Sequence, residues 1–298
     1  MRFRSEWPSD PPNVYAVGDA DGWVLVDSGW GYDDDMADLR NWLSDLLGPP
    51  LRSPVAMAIT HGHPDHAGGA ARLFEAWPHV PLLAGRDEAS VLHRHFPRLS
   101  FQSPDPEGIR LSSGVLRPFP APGHTTGSLA WIWEPAQDRV SLSRSKRVVL
   151  SGDTVLGRLS SWIGPPDGDL DVYLSTLSRL TEAFGPDILA PGHGPVCEPL
   201  AERTRALRAR RLARDEEILA LLPGLGTARA LAQALYEGKV PRSTLAPGGM
   251  AERTVLGHLL HLARQGRVHV ASSDASGDAS EDSAGDEAMT RVYQLGPG

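Results

Sequence analysis

The sequence predicts a layered α/β domain followed by a smaller, mainly helical region. Before Pro199, short β-branched runs alternate with stretches that carry apolar residues at helical spacing, which is typical of α/β layers. After Pro199 the chain becomes rich in Arg and helical in pattern. The 298 residues, 41% hydrophobic and 22% charged, suffice for one large domain and a small one. We therefore expect one domain at residues 1–199 and a second at residues 200–298.

The first domain begins with a predicted hairpin. Two apolar runs, Val14–Val17 and Trp23–Val26, flank a cluster of turn residues. Apolar residues at helical spacing predict helices over Asp34–Leu47 and Asp169–Phe184. Short apolar runs typical of buried strands make up the remainder: Val55–Ile59, Val80–Leu83, Val115–Phe119, Leu129–Trp133, Arg147–Leu150 and Asp187–Ala190.

The second domain has the pattern of three helices followed by a hairpin, which is the outline of a winged helix. Thr227 is the predicted N-cap of the middle helix, and Gly266 follows the last one. The tract at residues 272–289 is too polar and acidic to pack, so we expect it to be disordered. The predicted elements are helices at Leu200–Leu222, Thr227–Tyr236 and Ala251–Gln265, and strands at Arg267–Ala271 and Thr290–Leu295.

Composition excludes several classes of protein. The net charge of −8, from 37 acidic and 29 basic residues, gives no global basic field for nucleic acid. The single cysteine, Cys197, excludes an internal disulfide framework and a Cys-based zinc site. Apolar runs such as Trp23–Val26 are far too short to span a membrane, and the first residues lack the apolar stretch of a secretory signal. We therefore expect a cytoplasmic protein.

One segment carries most of the chemical information. It reads T-H-G-H-P-D-H from Thr60 to His66 and directly follows a predicted strand. Neutral imidazole and carboxylate are preferred ligands of zinc and similar divalent ions. The first two histidines occupy alternate positions and should point the same way, whereas a turn at Pro64 redirects the last two side chains. The spacing therefore suits two metals, with candidate ligands His61, His63, Asp65 and His66.

Three further candidate ligands follow predicted strands in turns that contain glycine. His124 lies in A-P-G-H-T, Asp153 in L-S-G-D-T and His193 in A-P-G-H-G. Because the ends of successive strands converge on one edge of a sheet, we expect these side chains to meet the first cluster. Five histidines and two aspartates suffice for two metals joined by a carboxylate. Hydroxyl groups in the same turns could support the ligands: Thr60, Thr125 and Thr126.

The motif set H-x-H-x-D-H, G-H-T, S-G-D and P-G-H resembles that of the metallo-β-lactamase fold hydrolases, over about residues 12–197. The resemblance implies a four-layer αββα sandwich. It also implies that Asp27, in L-V-D-S-G, supports the site without binding metal. The ligands it implies are His61, His63 and His124 for one metal, Asp65, His66 and His193 for the other, and Asp153 as the bridge.

The expected cofactors are two divalent metal ions, most simply zinc, and they would determine the type of reaction. Ions about 3.5–4 Å apart can share a water and bring its pKa to about 7. The bridging hydroxide would attack a carbonyl carbon or a phosphorus, and Asp65 is the candidate to orient it and accept its proton. The sequence therefore predicts a dinuclear metal-dependent hydrolase.

The C-terminal region gives the first indication of the substrate. Arg214–Ile218, Leu259–Leu262 and Gly266–Val268 are similar to β-lactamase-like proteins with a C-terminal winged helix, some of which cut single-stranded RNA. Arg210 and Arg211 are candidates for contacts with phosphate. This favours, by a small margin, an endonuclease acting on single-stranded RNA.

Two alternatives remain for the function. The six carboxylates of residues 272–289 would repel phosphate, and the overall acidic balance suits an acyl-thioester hydrolase of the glyoxalase II or acyl-carrier type. A winged-helix regulator without catalytic activity is the third hypothesis, although a regulator does not need an open dinuclear site.

Overall fold

The structure, a computed structural model, describes residues 10–136, 145–271 and 291–296. The chain forms two compact units. Unit 1 comprises Met1–Ser161 and Thr176–Arg205, and unit 2 comprises Trp162–Ser175 and Ala206–Gly298. Two helices contribute residues to both units, so a domain boundary at residue 199 stays a prediction.

The first sheet of unit 1 follows chain order. Its first two strands form the predicted hairpin, in which Tyr15 is paired with Val26. The remaining strands are parallel to their neighbours, so the carboxyl ends of β2, β3 and β4 lie at one edge. The strands are β1 Tyr15–Asp19, β2 Gly22–Val26, β3 Ala56–Ala58, β4 Leu82–Leu83 and β5 Phe101–Gln102.

The second sheet has the order β10-β9-β8-β7-β6. Strands β9 and β10 are parallel, and the other neighbours are antiparallel. The carboxyl ends of β9 and β10 therefore lie together. The strands are β6 Ile109–Leu111, β7 Gly114–Pro120, β8 Leu129–Pro135, β9 Val148–Gly152 and β10 Ile188–Pro191.

The two sheets pack face to face, and helices cover their outer faces. Val24 and Ala58 of the first sheet share a buried core with Trp131 and Leu150 of the second. On the outer face of the first sheet, helices α1 (Asp33–Leu47) and α3 (Ala70–Ala76) contribute to a second core. Helix α5 (Leu170–Phe184) covers the second sheet, where the rings of Phe119 and Phe184 are in edge-to-face contact. The αββα layering implied by the motifs is confirmed.

Three α-helices near the motifs lie outside the sequence predictions, and α3 is one of them. The four-residue helix α2 (Pro64–Ala67) begins with Pro64 at its first position, where a missing N–H costs nothing. The third is α4, Arg86–His95. Its sequence, RDEASVLHRH, is mostly polar, which explains why apolar spacing did not identify it.

Unit 2 consists of helices followed by a two-stranded ribbon. The hydroxyl of Thr227 accepts a hydrogen bond from the N–H of Ala230, which confirms the predicted N-cap. Strands β11 and β12 pair in the antiparallel sense, as predicted for a hairpin. The predicted disordered tract at residues 272–289 lies outside the described residues. The elements are α6 Leu200–Leu221, α7 Ala228–Tyr236, a 3₁₀ helix Arg242–Leu245, α8 Met250–Arg264, β11 Val268–Val270 and β12 Tyr293–Leu295.

None of the helices in the described part of the chain is both long enough and apolar enough to cross a membrane.

Candidate metal centre

The seven predicted ligands meet at one edge of the sandwich in unit 1. The H-x-H-x-D-H segment follows β3, the turn with His124 precedes β8, and Asp153 and His193 follow β9 and β10. Within each of three overlapping groups, the ligand atoms lie within 4.8 Å of one another. The groups are His61, His63 and His124; His61, His66 and Asp153; and Asp65, His66 and His193.

The first group, which we call the three-imidazole group, has three ring nitrogens facing one another. His63 Nδ1 lies 3.0 Å from His61 Nε2 and 3.0 Å from His124 Nε2. The Nε2 atoms of His61 and His124 are 3.2 Å apart. Nitrogens that bind one tetrahedral zinc at 2.0–2.1 Å lie about 3.3 Å apart, so this arrangement fits a single divalent ion.

The second group combines a carboxylate with two imidazoles. His193 Nε2 lies 3.1 Å from Asp65 Oδ2 and 3.3 Å from His66 Nε2. Two imidazoles and a carboxylate form a common ligand set for divalent ions, because each offers a lone pair to the same point. This group therefore fits a second ion.

Asp153 lies between the two groups. Its Oδ1 is 3.2 Å from His66 Nε2, and its Oδ2 is 3.5 Å from His193 Nε2 and 3.9 Å from His124 Nε2. Oδ1 is buried and accepts no hydrogen bond of good geometry from the described residues. A buried carboxylate oxygen without a donor is costly unless a cation satisfies it. Asp153 is thus suited to bridge two metals.

The pKa shifts of the histidines differ between the two groups of ligands. Burial holds the pKa of His61 well below 6.5, and the neighbouring imidazoles lower it further, so His61 is neutral and able to bind metal. Burial also lowers the pKa of His66, but the carboxylates of Asp153, Asp65 and Asp27 outweigh it and raise that pKa well above 6.5. The carboxylates around His66 thus give the second group negative charge that the three-imidazole group lacks, and a metal ion there would replace the proton that they favour on His66.

Asp27 is hydrogen-bonded to His66 of the H-x-H-x-D-H segment and to Thr60, which precedes that segment. Its Oδ1 accepts a hydrogen bond from the N–H of Thr60 at 2.8 Å, and its Oδ2 accepts one from the hydroxyl of Thr60 at 2.9 Å. His66 Nδ1 lies 2.8 Å from the same Oδ2. This contact leaves Nε2 of His66 facing the second group. In the same way, His193 Nδ1–H donates to the carbonyl of Asp10 at 2.6 Å, which fixes that ring.

Three of the other predicted residues lie in different surroundings. Thr126 is exposed. In unit 2, Arg210 is exposed, whereas Arg211 is 6% exposed, with its guanidinium 5.7 Å from the ring centre of Tyr173. The burial of Arg211 indicates a packing role in α6.

Glu88 is a site residue that the sequence analysis missed. It lies in α4, is 2% exposed, and accepts hydrogen bonds from the N–H of Gly62 and the hydroxyl of Thr125. No motif marks Glu88, and only the structure brings it to the loops that carry the ligands.

Similar proteins have this fold. Two solved structures cover 99% of the chain: a metallo-beta-lactamase family protein from Thermus thermophilus (TM-score 0.72, 21% identity, 97% of that chain) and a beta-lactamase domain protein from Burkholderia ambifaria (TM-score 0.79, 20% identity, 90% of that chain). At this identity they show the fold alone.

Curated relatives match at similar identity. An atrochrysone carboxyl ACP thioesterase from Aspergillus fumigatus is 26% identical over 214 residues, which are 72% of this chain and 60% of the relative. A beta-lactamase-like protein 2 homolog from Caenorhabditis elegans is 24% identical over 217 residues, which are 70% of this chain and 65% of the relative. The matches thus span less than two thirds of the length of these relatives.

The family model for the metallo-beta-lactamase superfamily matches residues 7–193, which include all seven clustered side chains. Together with the αββα layers and the clustered histidines and aspartates, this match shows that the chain belongs to the metallo-beta-lactamase superfamily.

Proposed function

We propose that the chain is a dinuclear metal-dependent hydrolase that cleaves acyl thioesters. The observation that carries the choice of substrate is that several curated relatives, at 25–26% identity, are named as thioesterases. The net charge of −8 agrees with a substrate other than a polyanion. Single-stranded RNA stays a prediction that these relatives do not support.

The residues present fit two divalent ions, for which zinc is our proposal. The three-imidazole group would hold one, the group of Asp65, His66 and His193 would hold the other, and Asp153 would contact both. When bound, such ions lower the pKa of a water and polarise a carbonyl oxygen. The protein fixes the rings of His66 and His193 through Asp27 and Asp10, so that these ligands lose little freedom on binding.

Asp65 is the proposed proton acceptor. Its side chain is 19% exposed, compared with 13% for Asp153, so it is the more accessible carboxylate of the cluster. In the reaction, the oxygen of water bonds to the acyl carbon and the carbon–sulfur bond breaks. Asp65 takes the proton that the water loses and delivers it to the departing thiolate, which gives a carboxylic acid and a thiol.

The test compares two substrates in the zinc-loaded protein. We expect turnover of an acyl-pantetheine thioester, followed by release of the thiol, and no cleavage of a fluorogenic single-stranded RNA. Asp65→Asn should lower thioester turnover by about 10²–10⁴-fold. Asp38→Asn is the matched control, because Asp38 is an exposed aspartate of α1.

Two results would contradict the proposal. Metal-dependent cleavage of RNA, without hydrolysis of the thioester, would overturn the choice of substrate. Failure of the protein to bind metal would overturn the whole proposal.

A further inference from the structure

We propose that Glu88 is a positioning residue that holds together the two loops of the three-imidazole group and thereby sets the affinity of that group for its metal. The inference rests on the proposed metal site and adds a residue that belongs to none of the family motifs. Glu88 does not reach the ring nitrogens itself; it acts through the backbone and a hydroxyl beside them.

The contacts of Glu88 link all three histidines. Its Oε2 accepts a hydrogen bond of 2.8 Å from the N–H of Gly62, which lies between His61 and His63. Its Oε1 accepts one from the hydroxyl of Thr125, the residue after His124. One carboxylate therefore connects the loop after β3 to the loop before β8. The three nitrogens can stay 3.0–3.2 Å apart only if these loops keep their spacing.

Two glycines leave the space that the Glu88 side chain occupies. A Cβ at Gly62 would lie 2.7 Å from Oε2 of Glu88, closer than a side chain can approach. A Cβ at Gly127 would overlap the backbone N and lie 2.8 Å from Cγ of the same residue. Gly62 has no positive φ, so a larger residue here would be opposed by the Glu88 carboxylate and not by backbone strain.

The hydroxyl of Thr125 is itself held in place. Ser128 Oγ lies 2.6 Å from Thr125 Oγ1 and accepts a hydrogen bond from the N–H of Thr125 at 3.3 Å. Glu88, Thr125 and Ser128 are all buried, so water does not compete for these hydrogen bonds. In the described part of the chain, no Lys or Arg forms an ion pair with Glu88, and its carboxylate is satisfied by these neutral donors. Such charge-assisted hydrogen bonds are stronger than neutral ones.

The second group has separate supports. His66 is held by Asp27, and His193 is held by the carbonyl of Asp10. Glu88 contacts neither. Loss of Glu88 should therefore weaken one metal equivalent and leave the other near its original affinity.

The experiment is an equilibrium titration with zinc against a competing chromophoric chelator, which resolves the affinity of each equivalent without any substrate. In Glu88→Ala we expect one equivalent to bind about 10–100-fold more weakly. Glu88→Gln should be impaired less, because its amide can still accept from Gly62 and donate to Thr125 Oγ1. Cobalt substitution gives a second readout, since the visible absorption reports the geometry of the weakened site. Glu75→Gln, an exposed glutamate of α3, is the matched control.

Thr125→Val provides a variant that keeps the carboxylate and removes only the hydroxyl. It should weaken the same metal equivalent, and the double variant with Glu88→Ala should lose less than the sum of the two single losses. If Glu88→Ala does not fold, Glu88→Gln and Thr125→Val carry the test.

The inference is overturned if folded variants bind both equivalents as the wild type does, or if both equivalents weaken equally. Wild-type protein that binds two metals but does not hydrolyse thioesters would contradict the proposed substrate and leave this inference intact. Wild-type protein that binds no metal would overturn both.

Discussion

The backbone of Asp27 is left-handed, with φ of 62°. Residues other than glycine rarely adopt this conformation, and among them Asp and Asn tolerate it best. The residue is 3% exposed and receives hydrogen bonds from Thr60 and His66. Strain of this kind persists where surrounding contacts enforce it. At Asp27 the enforcing contacts are those that orient a proposed metal ligand.

Asp27→Asn should separate the role of the carboxylate from that of the backbone, because asparagine tolerates the same φ. With Nδ2 in place of Oδ2, the side chain can no longer accept a hydrogen bond from His66 Nδ1. We expect metal affinity to fall by about 10–100-fold and the free energy of unfolding to fall by about 1–3 kcal/mol. Zinc titration and urea denaturation measure the two effects.

Asp27→Ala should lose more stability than Asp27→Asn, since it also removes the oxygen that accepts from the N–H of Thr60 and adds backbone strain at this φ. Unchanged metal affinity in Asp27→Asn would show that Asp27 does not orient His66.

Among the elements, the part of helix α6 that lies in unit 2 is joined to helix α8 by a buried hydrogen bond. His258 of α8 is 1% exposed, and its Nδ1–H donates to Oδ1 of Asp215 in α6 at 2.7 Å. The opposite ring nitrogen, Nε2, is buried and has no hydrogen-bond partner in the described residues. Burial lowers the pKa of His258 below 6.5; Asp215 opposes this, and Arg211 and Arg214 reinforce it. The neutral ring is therefore the folded form.

This shift predicts that the chain loses stability in mild acid. Above pH 6.5 His258 is neutral in both the folded and the unfolded chain. Below pH 6.5, His258 binds a proton in the unfolded chain but not in the folded chain. The free energy of unfolding therefore falls as the pH is lowered, until the pH reaches the lower pKa that His258 has in the folded chain. The free energy of unfolding, measured from about pH 5 to pH 7.5, should rise with pH more steeply in the wild type than in His258→Gln. Equal slopes would contradict the prediction.

Sequence patterns predict those helices and strands whose apolar residues are regularly spaced. The hairpin β1–β2 follows from two apolar runs around a turn, and helices α1, α5 and α8 follow from apolar residues at helical spacing. The Arg-rich run after Pro199 predicts α6. Strands β5 and β6, of two and three residues, are too short to show alternation. Helix α4, which carries Glu88, has few apolar residues to define a face. Only the tertiary structure therefore reveals helix α4 and the position of Glu88 in it.

For the whole molecule, metal binding should be linked to folding. The clustered ligands extend from residue 61 to residue 193, so they meet only in the folded chain. A ligand that binds the folded state alone stabilises it by about 4 kcal/mol at a thousand times its Kd. We expect zinc to raise the Tm and a chelator to lower it.

His193→Ala should reduce this response, because it removes a ligand of the second group, whereas Glu75→Gln should preserve it. Differential scanning calorimetry at fixed protein concentration measures the shifts. A Tm that does not depend on metal would argue against the proposed centre.

The sequence by itself determined the chemistry available to this protein and much of its order. Ligand types, their motifs, the hairpin, the long helices and the N-cap at Thr227 all depend on neighbouring residues, whose spacing is visible in the chain. The tertiary structure decided which side chains act together. It placed Asp153 between the two metal groups, brought Glu88 to Gly62 and Thr125, and buried Arg211. These contacts join residues far apart along the chain, and they arise from the packing of sheets and helices, which local spacing does not encode.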